Sequence, residues 1–138
     1  MRKMINLKAP KNIENAIKDE GFRVCYNQTA DNVEIFLTGI VGDEYTESDA
    51  GSIAKILSMN RGKPVTMRVN SPGGLAFDGL AIHNALAAHD GPTTGIIEGL
   101  AGSAASLAVM ACDTIKAYAT SKFHPHYSLC IAMGHKAD

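Results

Sequence analysis

Apolar, β-branched runs that alternate with helix-like segments restrict this chain more than any other feature. Val33, Ile35, Leu37, Ile40 and Val41 read as a strand, and GDEYTES then turns the chain into a helix near Ser48 to Asn60, with Ser48 or Thr46 as its N-cap. RGKP leads into a second strand, Val65 to Val69. NSPGG leads on to a helix from Leu75 to Ala88 whose apolar positions are Leu75, Leu80, Ile82 and Leu86, ended by His89, Asp90, Gly91 and Pro92. Thr93 to Ile97 reads as a third strand, Ser103 to Cys112 as a third helix and Thr114 to Tyr118 as a fourth strand. Strands separated by helices pair in parallel through right-handed crossovers, so the fold class is α/β, built of repeated βαβ units with a largely parallel sheet.

A chain of 138 residues fits one domain with a real core. The regular pattern occupies residues 33–120. Residues 1–32 read as an N-terminal arm with a short helix near Ile13 to Asp19. Residues 121–138 are an atypical tail, the end of ATSKFHPHYSLCIAMGHKAD, with neither helical nor strand periodicity. Thirteen basic and fourteen acidic residues give a net charge of -1, scattered along the chain, which argues against nucleic acid and anionic membrane as partners. Leu100 to Cys112 is shorter than the ~20 residues of a membrane span, and MRKMINLKAP has no signal-peptide core, so the expectation is a cytoplasmic protein. Cys25, Cys112 and Cys130 form no CxxC pair and no metal-like cluster. They read as small hydrophobes, with no disulfide, metal or cofactor expected.

Two places could carry chemistry. Ser103 follows Gly99 and Gly102 at a strand-to-helix turn, where exposed backbone N–H groups favour a developing negative charge. Serine is also a favoured N-cap, so Ser103 alone decides nothing. Asn70-Ser71-Pro72-Gly73-Gly74 follows the second strand, and its glycines let the backbone approach a ligand at the carboxyl end of a parallel strand. A serine mechanism needs a base, usually histidine. His83 and His89 read as polar-face residues and His135 as too near the end, whereas His124 and His126 follow the fourth strand and can return to the sheet edge near Ser103.

Taken together, IFLTGIV (Ile35 to Val41), VNSPGG (Val69 to Gly74), GLAIHNAL (Gly79 to Leu86) and GLAGSAAS (Gly99 to Ser106) followed by LAVMACD resemble the ClpP family of serine peptidases, and more closely its bacteriophage head maturation (prohead) protease branch. The resemblance implies Ser103 as nucleophile, four residues after the glycine that opens the second motif, and Ser106 as an inward packing residue. It implies the backbone N–H groups of Gly74 and Ala104 as oxyanion donors, with Gly102 standing where the family commonly has alanine. By spacing, the family base falls on His126, with His124 as the other candidate, although Phe123-His124-Pro125-His126 stands where a segment like Met-Ile-His is expected.

The family acid is an aspartate several dozen residues beyond the histidine, and this sequence stops twelve residues after His126. Asp138 is too close and Asp113 precedes the base. The expectation is therefore a C-terminally truncated or frame-shifted chain, with the frame changing near Lys122, where codons for Phe-His-Pro-His read one nucleotide later can encode Phe-Ile-His. Loss of the orienting acid alone can cost about 10⁴ in turnover, so an inactive chain is part of that expectation.

The function implied is a serine endopeptidase processing phage capsid or scaffold proteins, without metal or cofactor, in a homo-oligomeric ring and with an AAA+ ATPase as an optional partner. The alternatives are a non-catalytic ring subunit or prophage remnant of the same fold, and a crotonase-type acyl-CoA enzyme, which shares a related fold and a backbone oxyanion hole.

Overall fold

The computed structural model describes residues 26–28, 31–44 and 48–127. Ile13 to Asp19, Thr46, Cys25, Cys130, His135 and Asp138 lie outside them.

Six strands form one sheet. β1 (Tyr26–Gln28) runs antiparallel to β2 (Val33–Val41), and β2, β3 (Val65–Gly74), β4 (Thr93–Gly102) and β5 (Thr114–Ala117) follow in parallel and in sequence order. β6 (Lys122–His124) pairs in parallel with the last three residues of β4, beyond the stretch that β5 covers. Each crossover places its strand on the same side of the last, and right-handed connections of that kind carry the helices between described strands on one face. The alternation in β3 agrees. Val65, Met67, Val69, Ser71 and Gly73 are buried, while Thr66, Arg68 and Asn70 look to the other face.

The helical layer consists of α1 (Ala50–Met59), α2 (Ala76–Ala87) and the short α3 (Ala104–Val109), with α2 packed against both others. The core between layers gathers Val33, Ile35 and Leu37 of β2, Met67 and Val69 of β3, Ile53 and Leu57 of α1, Ile82 and Leu86 of α2, and Ala105, Ala108 and Val109 of α3. Burial of each large aliphatic here contributes roughly 1.5–3 kcal/mol. On the opposite face, Arg68 bonds Glu34 of β2 through Nε at 3.0 Å and Glu98 of β4 through Nη1 at 2.9 Å. One guanidinium thereby ties three adjacent strands.

Several sequence expectations need correction. α1 is capped by Asp49, whose Oδ1 accepts the Ser52 N–H at 2.9 Å and whose Oδ2 accepts the Ser52 hydroxyl at 2.6 Å. Ser48 is not the cap: it is fully buried and donates its hydroxyl to Thr38 O at 2.7 Å. Ile40 lies in the strand as read, but it is 52% exposed, because β2 bulges between Thr38 and Ile40 at Gly39, which takes φ +73°. Leu75 and Leu80 are exposed too. α2 buries only the narrow stripe Gly79, Ile82 and Leu86, with Gly79 so close to α3 that a Cβ there would lie 2.7 Å from Ala104 O. The segments without periodicity add edge strands, β1 within residues 1–32 and β6 within residues 121–138.

No helix among the described residues is long and apolar enough to cross a membrane, and no group of His, Cys, Asp or Glu among them could hold a metal ion.

Candidate active site

NSPGG, read as following the second strand, is instead the last half of β3, and GLAG is the last part of β4. Both ladders shift register here, between Thr38 and Ile40 and between Val69 and Ser71, so the two motifs leave the regular sheet together and lie against each other. Their glycines make that approach possible. A Cβ on Gly99 would lie 2.6 Å from Asn70 Oδ1, one on Gly102 2.8 Å from Pro72 O, and one on Gly73 2.5 Å from the Cβ of Ser103. At Gly102, the alanine common in the resembling family would press on the Pro72 backbone.

Ser103 occupies the turn from β4 into α3 with φ +48° and ψ −123°, the one positive φ outside glycine among the described residues. This is not the conformation of an N-cap, and the Ser103 hydroxyl makes no capping bond. It has no hydrogen-bond partner among the described residues. Such strain costs of order 1–3 kcal/mol and persists only where the surroundings hold it. Here they do: the Ser103 N–H donates to His124 O at 3.0 Å, and the Ser103 carbonyl accepts the Ser106 N–H at 3.0 Å, the Leu107 N–H at 3.3 Å and the Ser106 hydroxyl at 2.6 Å. Sequence reasoning read Ser106 as packing. It is buried as expected, but its hydroxyl serves Ser103.

Ser71 is a second residue whose role the sequence hid. Its buried hydroxyl donates to Gly39 O at 2.6 Å and accepts the Gly73 N–H at 3.0 Å, which fixes the turn of the two glycines. Gly74 follows at the end of β3, where a Cβ would fall 2.2 Å from Val41 O. Ala104 is the first residue of α3, so its N–H belongs to the helix N-terminus, where backbone donors lack intrahelical acceptors.

These pieces line one cleft of about 560 Å³, bounded by Pro72, Gly74, Leu75, Ser103, Ala104, Ser106, Leu107, Met110, Pro125 and His126. Three of the four sequence candidates, Ser103, Gly74 and Ala104, thus meet with the fourth, His126, around a space of the size that ligand sites occupy. β6 brings His126 there, since its pairing with β4 ends at Gly102 and His124, two residues short of the ring. No hydrogen bond joins Ser103 and His126. His126 Nδ1 lies 2.6 Å from Tyr127 O, an acceptor only, so Nδ1 is the donor in this contact and Nε2 is left for another partner. The His124 side chain is exposed, and what reaches Ser103 from His124 is its carbonyl.

The remaining candidates stand elsewhere. His83 Nδ1 bonds Leu107 O at 2.9 Å and His89 Nε2 bonds Lys63 O at 2.8 Å, so both are structural ties between elements rather than solvated polar-face residues. Asp113 accepts the Thr93 N–H at 2.7 Å and the Thr93 hydroxyl at 2.9 Å, bonds that hold its carboxyl below the ordinary range and fasten the start of β4. Burial pushes the Cys112 thiol up to about 11, with the Asp113 charge adding to the shift, which makes it an inert core residue.

A family model described as Clp protease matches residues 17–138. Among solved structures, the chain is similar to the ClpP1 N165D mutant from Listeria monocytogenes, with 22% sequence identity and a TM-score of 0.48 over 57% of this chain and 46% of that one. The chain thus spans less than half the length of that relative. The family match runs through both glycine motifs, the strained Ser103 turn and the segment that brings His126 to the cleft, and on it the chain belongs to the Clp protease family.

Proposed function

We propose that this protein is a serine endopeptidase in which Ser103 is the nucleophile, His126 the base, and the N–H groups of Gly74 and Ala104 the oxyanion donors. The observation that carries the reading is the Ser103 turn: a non-glycine residue at φ +48° whose hydroxyl is spent on no cap and which lines the same cleft as His126. Ser103 Oγ attacks the scissile carbonyl while its proton passes to His126 Nε2. The carbonyl oxygen, now negative, is held by the two backbone donors. Collapse breaks the C–N bond, His126 returns the proton to the leaving amine, and water then releases the acyl group from Ser103 by the same route in reverse. No metal or cofactor takes part.

The substrate class is protein, in particular phage capsid or scaffold protein cut during head maturation, and the working form is a ring in the cytoplasm of a bacterial host. An AAA+ partner is an optional addition. Support for assembly comes from large apolar side chains that stand exposed: Phe77, 87% exposed, and Leu80 on α2, and Leu75 and Met110, which flank α2 and α3 and line the cleft. The acyl-CoA alternative is not favoured, since the family matched is that of Clp proteases.

One observation favours a second reading, a non-catalytic ring subunit: among the described residues no carboxylate orients His126, and its Nδ1 goes to a backbone carbonyl instead. Hydrolysis of a fluorogenic peptide mixture separates the two. The peptidase reading expects turnover that Ser103→Ala and His126→Ala each abolish, whereas a folded protein without Ser103-dependent turnover fits the subunit.

A further inference from the structure

The Ser103 carbonyl draws more donors than a helix start requires. Two backbone N–H groups already reach it, from Ser106 and Leu107, and the Ser106 hydroxyl adds a third bond that is the shortest at 2.6 Å. Ser106 is 3% exposed and borders the cleft, and the one hydrogen bond its hydroxyl donates goes to the Ser103 carbonyl. The Ser103 carbonyl and the Ala104 N–H are the two ends of one planar trans peptide and point in opposite directions. Whatever fixes the carbonyl therefore fixes the N–H. A hydrogen bond accepted at the oxygen also polarises the peptide and strengthens the donor at its other end.

We propose that Ser106 is a positioning residue for the oxyanion hole: its hydroxyl, by binding Ser103 O, locks and polarises the Ser103–Ala104 peptide so that the Ala104 N–H meets the developing oxyanion. The inference rests on the reading of Ser103 as nucleophile. It also explains why the strained turn holds at its helix end, while the His124 carbonyl and the close face of Gly73 hold it at the other. Ser106 touches no reacting atom in this scheme. Its effect is confined to states in which the substrate oxygen carries charge.

The test compares wild type, Ser106→Ala, Ser106→Cys and Ser106→Thr in full-length protein. The readouts are the second-order rate of fluorophosphonate labelling at Ser103 and the dissociation constant of a peptide boronate, whose tetrahedral adduct places an oxygen in the hole, beside the thermal midpoint of each variant. The alanine and cysteine variants, which lack the O–H donor, are expected to lose about 10-fold in both readouts, the scale of one neutral hydrogen bond, because the hydroxyl acts on the oxyanion only through the peptide. Ser106→Thr, which keeps the donor, is expected to recover most of that loss. Labelling and boronate affinity unchanged in Ser106→Ala would overturn the positioning role while leaving the nucleophile in place. A loss that follows only the unfolded fraction, with no recovery in Ser106→Thr, would overturn it as well. Folded wild-type protein that neither labels at Ser103 nor binds the boronate would remove the peptidase reading and this inference together.

Discussion

At the scale of single residues, the site depends on atoms that are absent. Gly73 lacks the Cβ that would collide with Ser103, and it takes φ +102°, so Gly73→Ala combines a forbidden contact with an unfavourable backbone angle. The expected outcome is a loss of roughly 2 kcal/mol or more in unfolding free energy, read by urea denaturation, together with loss of Ser103 reactivity. Cys112 gives the opposite kind of expectation. Its thiol, raised to about 11 by burial, resists iodoacetamide at neutral pH in the native state and reacts once urea unfolds the chain, as peptide mapping of the alkylated protein would show. The strand-to-helix turn at Ser103 was legible because Gly99 and Gly102 are local signals, whereas its pairing with NSPGG rested on a resemblance. Ser71 and Ser106 escaped because their hydroxyls act on backbone oxygens, at Gly39 and at Ser103, and residue type alone does not say where a hydroxyl points. The two candidate histidines differ for a similar reason: spacing favoured His126, and only the pairing of β6 with β4 shows that His124 gives its carbonyl while His126 borders the cleft.

At the scale of elements, alternation of strand and helix was readable from apolar runs, but the ends of elements were not. β3 and β4 run on through NSPGG and GLAG because a neighbouring strand is there to accept glycine-rich backbone, a partner that local turn chemistry cannot foresee. The exposed Leu75 and Leu80 show the same limit: helical spacing makes them core, while the narrow stripe of Gly79, Ile82 and Leu86 is all that α2 needs to pack. At the start of α1, Asp49 competes with Ser48 for the cap and wins because Ser48 is drawn inward to Thr38 O. Asp78, distant in sequence, adds a second tie by accepting the Ala50 N–H on its Oδ1 at 3.0 Å. Asp49→Ala is expected to cost about 1 kcal/mol at neutral pH. Burial opposes the charge of Asp49, but the Ser52 hydroxyl and the N–H groups of Ser52 and Gly51 outweigh it and hold the carboxyl below its ordinary value. A depressed carboxyl stabilises the fold above the unfolded-state value, about 4, and that contribution fades as pH falls through the folded one. The gap between wild type and Asp49→Ala in thermal midpoint should therefore be full at pH 6 and shrink as pH drops below about 4.

At the scale of the whole molecule, strands laid down in sequence order put the ends of β3 and β4 side by side, and that adjacency lets two glycine motifs thirty residues apart make one site. Arg68, bonded to Glu34 and Glu98, ties these two strands and β2 together from the other face. The cleft, the Ser103 turn at φ +48° and the His126 ring that lines the cleft are brought together by this sheet and not by any one segment. Intact-mass analysis after exposure to a fluorophosphonate tests the central claim most directly, because it asks only whether this serine is a nucleophile. The account predicts a single phosphonyl adduct, mapped to Ser103 and lost in Ser103→Ala. Folded protein that stays unmodified, or an adduct that persists in Ser103→Ala, would contradict it.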